Sequence, residues 1–226
     1  MTQNQNEQIE QRLPLKITSV AVQKKRKDRY SLYHNDEFLI GVSAQSLIDH
    51  SIQKGSLLTP EIWKSLQQSE EVQGVKESLL RYLGRRDHSA AELQRKVAAK
   101  GYSPSVIERV ISELEEKGYI NDMIFAEKFA SDKAQFKQWG PNKIKAALFK
   151  KGVNASVTEK VVQNLSGNLE HHQICVDLLR KRKQHFLREQ DPMKRKQKMY
   201  RYLAGKGYNS GNITRAIDQI SSEFNV

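Results

Sequence analysis

Three groups of residues hold side chains able to do chemistry, and the spacing of each argues for a structural role instead. Asp87-His88-Ser89 contains the members of a hydrolase triad. Three consecutive side chains cannot point at one another, and Ser89 is better placed as a helix cap. His171-His172 is the adjacent pair among six histidines. Neighbouring side chains on a helix diverge by about 100°, too far to chelate one metal well. Cys175 lies beside Ile174 and Leu178 in a helical pattern, the setting of a packed core cysteine. A lone cysteine allows no internal disulfide and suits a reducing compartment. No Gly-x-x-x-x-Gly-Lys-Ser/Thr phosphate loop occurs, no cysteine pair could hold zinc, and no nuclease-like carboxylate cluster stands out. The chain is therefore expected to be no enzyme and to need no cofactor or metal.

Its evident chemistry is that of a basic surface. The formal net charge is +12, held mainly in the C-terminal half: residues 121–169 carry +4 and residues 170–226 carry +6. The densest runs are Arg180-Lys181-Arg182-Lys183, Lys194-Arg195-Lys196 and the set Lys143, Lys145, Lys150 and Lys151. Clustered cations are the footprint of a polyanion, either nucleic acid or a protein surface that carries it. Candidate contacts are Arg85, Arg86 and Arg95, then Lys143, Lys145 and Lys150, then Arg180, Lys181, Arg182, Lys183, Arg195 and Arg201. Tyr82, Tyr102, Tyr119, Trp139, Tyr200 and Tyr208 could stack on bases, but their repeat positions favour packing between helices. With no run of 18 apolar residues and no signal-peptide pattern, a soluble cytoplasmic chain with no membrane partner is expected.

These cations sit on a pattern that recurs three times. Lys100-Gly101-Tyr102, Lys151-Gly152-Val153 and Lys206-Gly207-Tyr208 are spaced 51 and 55 residues apart. Eight residues before each Gly stand Leu93, Ile144 and Met199; four before stand Val97, Leu148 and Leu203. Ten after come Ile111, Val162 and Ile217, and thirteen after come Leu114, Leu165 and Ile220. Steps of three and four mark one face of a helix, and a period of this size marks an array of small supersecondary units.

Ser89-Ala90-Ala91-Glu92 has the form of a capping box, Gly101 closes the helix that follows, and Ser103-Pro104 starts the next. Gly140-Pro141, Gly152 and Asn154 repeat this grammar. Helices at Val75 to Leu83, Asp122 to Phe136 and Ile174 to Phe186 complete each unit, giving nine helices in three triplets. The third is loosest, because a polar stretch from Arg188 to Lys194 separates its first helix from its Lys-Gly turn.

The N-terminal region has a different pattern. Residues 1–14 are rich in Gln, Asn and Glu and are expected to form a disordered tail. Ile17 to Val22, Tyr30 to Tyr33 and Phe38 to Val42 are short β-branched and aromatic runs, the last following the turn-like Asn35-Asp36. A small antiparallel meander follows from these, then a short helix from Ser43 to Ile52 and another starting at Thr59-Pro60 and ending in the polar stretch from Gln67 to Gly74. The predicted fold is mainly α: three three-helix motifs in an elongated tandem array, preceded by a small α+β module. Its domains are 15–74, 75–120, 121–169 and 170–226.

The stretch Arg81-Tyr82-Leu83-Gly84-Arg85-Arg86-Asp87-His88-Ser89-Ala90-Ala91-Glu92-Leu93 resembles the opening signature of the RecX family of recombinase regulators. Gly118-Tyr119-Ile120-Asn121-Asp122, Phe125-Ala126, Trp139-Gly140-Pro141-Asn142-Lys143-Ile144 and Lys151-Gly152-Val153 follow in the family's order and spacing. The likeness covers about residues 75–220, and the N-terminal module is similar to an extension that many members carry. The resemblance implies a bacterial cytoplasmic protein that binds the RecA recombinase and its filament on single-stranded DNA. It would restrain filament growth, ATP hydrolysis and strand exchange, acting in DNA repair and recombination and damping the SOS response. The family's array lies along the groove of the RecA–DNA filament, and a monomer is expected.

A DNA-binding protein is the rival reading, since two helices joined by a Gly turn have the outline of a helix-turn-helix. The mixed charge of Glu108, Arg109, Glu113, Glu115 and Glu116 makes a poor recognition surface for phosphates.

Overall fold

A computed structural model of the chain describes residues 3–168 and 171–223. Two compact units divide it, Met1–Gly84 with Lys96–Glu113, and Arg85–Arg95 with Leu114–Val226.

The first unit opens with α1 (Gln3–Glu10), where a disordered tail was expected. Ile9, 3% exposed, joins the module's apolar core and offsets the polar composition around it. β1 (Leu15–Lys16) pairs antiparallel with β5 (Leu57–Leu58). Between them run β2 (Ser19–Val22), β3 (Arg29–His34) and β4 (Glu37–Ser43), the expected meander. Its β3–β4 turn has Asn35 and Asp36 both at positive φ, the backbone that matches the twist of a two-residue hairpin. Ser43 then caps α2 (Ala44–Asp49) by accepting from the Ser46 amide.

The expected pair of helices around Gly74 is instead one helix, α3 (Pro60–Leu83), capped by Thr59. Gly74 does not break it, because it faces the Tyr102 ring; a Cβ there would lie 2.8 Å from the phenol oxygen. Glu70 of α3 accepts from Arg29 at 2.7 Å, from the Ser43 amide at 2.8 Å and from the Ser46 hydroxyl at 2.6 Å. A nearly buried carboxylate so bonded fixes the helix on the meander. α4 (Ala90–Ala98) and α5 (Pro104–Glu116) complete the first triplet.

The second triplet is α6 (Asp122–Lys137), α7 (Pro141–Lys150) and α8 (Ala155–Asn168). Asn121 caps α6, and Pro141 opens α7 as its first residue. The third triplet departs from the expectation twice. Its first helix breaks at Arg182 into α9 (His171–Lys181) and α10 (Lys183–Leu187), which brings Phe186 into the core beside Tyr202. The polar stretch is non-helical only from Arg188 to Asp191: Asp191 caps α11 (Pro192–Lys206), which takes in the rest, by accepting from the Met193 and Lys194 amides at 2.8 and 3.2 Å. α12 (Ser210–Glu223) ends the array.

The repeated apolar positions are the core. Leu93, Ile144, Met199, Val97, Leu148 and Leu203 are all 2% exposed or less. Each such side chain contributes about 1.5–3 kcal/mol by leaving water.

Candidate interaction surface at the repeat joints

Within the second unit, each Lys-Gly turn lies against the start of the middle helix of the repeat before it. At the first joint the Ser89 hydroxyl donates to the Lys151 carbonyl at 2.6 Å. At the second the Gly140 amide donates to the Lys206 carbonyl at 2.8 Å, and the Asn142 amide to Gly207 at 3.0 Å. Ser89 and Gly140 hold the same repeat position, twelve residues before their Gly, as do Lys151 and Lys206. The glycines do more than end helices. At φ +82 Gly152 also lies where a Cβ would be 2.3 Å from that of Ala91, and at φ +93 Gly207 lies where one would be 2.4 Å from the Lys143 backbone nitrogen.

Charge at the first joint is compensated. Lys151 Nζ donates to Glu92 at 2.7 Å, Arg86 to its other oxygen at 3.2 Å, and His88 Nδ1 stands 3.5 Å away. Burial opposes ionisation of Glu92, yet the bonds from Lys151 and Arg86 outweigh it and hold the carboxyl down at about 2. The predicted capping box is therefore half right. Ser89 accepts from the Glu92 amide at 3.2 Å, but the Glu92 side chain turns to the cations rather than back to the cap. Asp87, His88 and Ser89 face separate partners: Lys128 at 2.8 Å, Glu92, and the Lys151 carbonyl. Beside them a cleft of about 430 Å³ is lined by Arg86, Lys128, Phe129, Lys133 and Lys151 among others.

Among the described residues no carboxylate pairs with the lysines of the second joint. Lys143 donates to the Gly205 carbonyl at 2.8 Å and Lys206 to the Lys137 carbonyl at 2.9 Å. Burial lowers the Lys206 pKa, and Lys143, Arg182 and Lys137 push it the same way. Lys143 and Lys133 lie over the Trp139 ring at 4.9 and 5.7 Å, and the Arg182 guanidinium over Tyr202 at 4.7 Å.

The residues singled out in the sequence scatter across these surfaces. Arg95 reaches the Lys150 and Lys151 carbonyls at 3.4–3.5 Å, so it serves the first joint. Lys145 pairs with Glu159, and Arg180 with Glu223 and Asp177. Arg201 is exposed and bonds Gln197 at 3.4 Å; Arg85, Lys150, Lys181 and Lys183 are exposed. Arg195 is a correction. It is 8% exposed and donates to the Glu189 and Gln190 carbonyls, so it holds the turn before α11 instead of facing a partner. Among the aromatics Tyr208 is buried as expected, while Tyr119 and Tyr200 are 61% and 41% exposed. Lys133, Lys137 and Lys206 were missed, because none belongs to a dense run; only the Lys-Gly repeat pointed to Lys206. Cys175 is fully buried, which pushes its thiol up to about 12.

Serial three-helix units joined through Lys-Gly turns, behind a small β-containing module, define a tandem-repeat helical protein. Four family profiles match in order: the regulatory protein RecX N-terminal domain over residues 15–59, and the first, second and third RecX three-helix domains over 76–114, 121–162 and 170–217. Regulatory protein RecX of Clostridium perfringens is 33% identical over 86% of this chain and 91% of its own length. That of Clostridium beijerinckii is 30% identical over 91% and 95%. A crystal structure of regulatory protein RecX superposes with a TM-score of 0.73 at 20% identity, covering 90% of this chain and 98% of that one. RecX from Lactobacillus salivarius gives 0.61 at 21% identity, covering 68% and 98%. The chain belongs to the RecX family of regulatory proteins. Among the described residues no helix is long and apolar enough to cross a membrane.

Proposed function

We propose that this chain is a non-enzymatic cytoplasmic regulator that binds RecA and its filament on single-stranded DNA and restrains ATP hydrolysis, strand exchange and the SOS response. Family membership supports this reading, and the observation that carries it is the serial placement of cationic groups on three linked repeats. Weak contacts repeated along one chain add to a strong total on a polymeric partner. Such binding shifts the filament only by as much as it prefers one filament state over another.

Reading duplex DNA through a helix-turn-helix is the weaker alternative. α5, the helix after the first Gly turn, carries Glu108, Glu113, Glu115 and Glu116, which repel phosphates. The test is RecA ATP hydrolysis on single-stranded DNA with the full chain added. Turnover should slow at less than one chain per RecA, and no effect at equimolar ratio would reject the reading.

A further inference from the structure

The two joints are built alike, but the first sets a carboxylate against its Lys-Gly lysine and the second sets a lysine there. Glu92 and Lys143 hold the same repeat position, each nine residues before the Gly of its own unit. At the first joint the Lys-Gly lysine, Lys151, donates to Glu92; at the second its equivalent, Lys206, donates to the Lys137 carbonyl and is repelled by Lys143, Arg182 and Lys137. The backbone bonds to the Lys151 and Lys206 carbonyls are kept at both, so the joint itself does not require the reversal. Lys137 of α6, Lys143 of α7, Arg182 at the α9–α10 break and Lys206 of α11 gather there. Among the described residues no carboxylate pairs with them. Mutual repulsion around a partly buried lysine disfavours the free joint, and a bound anion would reverse its sign.

We propose that the joint between the second and third repeats binds the sugar–phosphate backbone of a single-stranded nucleic acid. Lys137, Lys143, Arg182 and Lys206 take phosphates, and the Phe136 and Trp139 rings take bases. The rings favour a strand over an acidic protein surface. Phe136 is 77% exposed, adjacent to Lys137 and three residues from Lys133, on the same helix face. Trp139, half-buried with one side against the core of the second repeat, lies among Lys133 and Lys143. A single strand alternates charge with an accessible aromatic face, and this patch sets the exposed Phe136 ring beside Lys137 in the same way; a duplex hides its base faces. The inference deepens the proposed regulatory role and rests on it for its setting.

The test is anisotropy of a dye-labelled oligothymidylate titrated with the full chain across a salt series. Log affinity should fall with log salt at a slope of about −0.7 per phosphate contacted. Lys143→Glu installs at the second joint the carboxylate–lysine pair of the first, so the fold is kept or strengthened. It should weaken binding about tenfold or more and make the slope shallower by about 0.7 or more. Lys206→Gln should act in the same direction. Unchanged affinity and slope in a cooperatively unfolding Lys143→Glu chain overturns the site. So does loss of RecA inhibition by Lys143→Glu with strand binding intact, which assigns the cluster to a protein surface. The regulatory reading fails separately, when the unmodified chain leaves RecA ATP hydrolysis unchanged whatever its affinity for the strand.

Discussion

Lys151 donates to Glu92 at 2.7 Å across 59 residues of sequence, joining the turn of the second repeat to the middle helix of the first. The Lys-Gly dipeptide thus has two uses. Its glycine ends one helix in the left-handed conformation, and its lysine and carbonyl fasten that end to the preceding repeat.

Glu92→Gln keeps the side-chain volume and removes the charge that Lys151 and Arg86 share. With Glu92 only 14% exposed, losing it leaves a partly buried lysine without its partner. Stability should fall by about 1–3 kcal/mol. Urea denaturation should show a lower midpoint at an unchanged slope, the mark of a stability change without a change in the denatured state.

The same carboxylate makes folding sensitive to acid. Its pKa falls from 4.5 to about 2 on folding, so below 4.5 the unfolded chain binds the proton that the folded chain does not. The Glu92 contribution is fully present above that value and is lost as pH drops toward 2. Unfolding followed at pH 7 and at successively lower pH should show a decline that is shallower in Glu92→Gln. Parallel declines would remove Glu92 as a source of the sensitivity.

Gly207→Ala and Gly101→Ala separate helix ending from joint packing. Both glycines have positive φ, +93 and +86, so both substitutions carry about 1 kcal/mol or more of left-handed strain. A Cβ at Gly101 meets nothing within 4 Å, whereas at Gly207 it would lie 2.4 Å from Lys143. Thermal unfolding should place Gly207→Ala below Gly101→Ala by a further ~1–3 kcal/mol. Equal losses would mean that the second joint gives way freely.

Cys175 should resist thiol reagents in the folded chain. Burial at 0% exposure pushes its thiol to about 12, so almost no thiolate exists near neutral pH. Modification should be slow in buffer and fast in denaturant; rapid labelling of folded protein would contradict the burial.

Arg195→Ala should destabilise the third repeat by about 1–3 kcal/mol, because the Glu189 and Gln190 carbonyls lose their donor. Arg201→Ala, on an exposed residue, should stay within about 0.5 kcal/mol. Urea midpoints of the two variants check the contrast.

Much of the fold was legible because it rests on local pattern. The offsets around each Gly named the core: Leu93, Val97, Ile144, Leu148, Met199 and Leu203 lie where steps of three and four put them. Asn35-Asp36 marked a hairpin for the same local reason, the turn's need for positive φ. Local pattern failed where a distant contact outweighed it. Gly74 stays helical against Tyr102, and Ile9 draws a polar segment into α1. Arg195, read as a free cation in a basic run, is drawn into the turn before α11.

Residue spacing by itself determined the number of repeats, the faces they bury and the helix ends at the Lys-Gly turns, since those follow from helix periodicity and from glycine's backbone freedom. Tertiary structure alone decided which cations are neutralised. Whether Lys151 donates to Glu92 or Lys206 is repelled by Lys143 depends on turns folding onto helices some sixty residues earlier in the chain. Coulomb energy follows distance in space, which a dense run of lysines in sequence does not report.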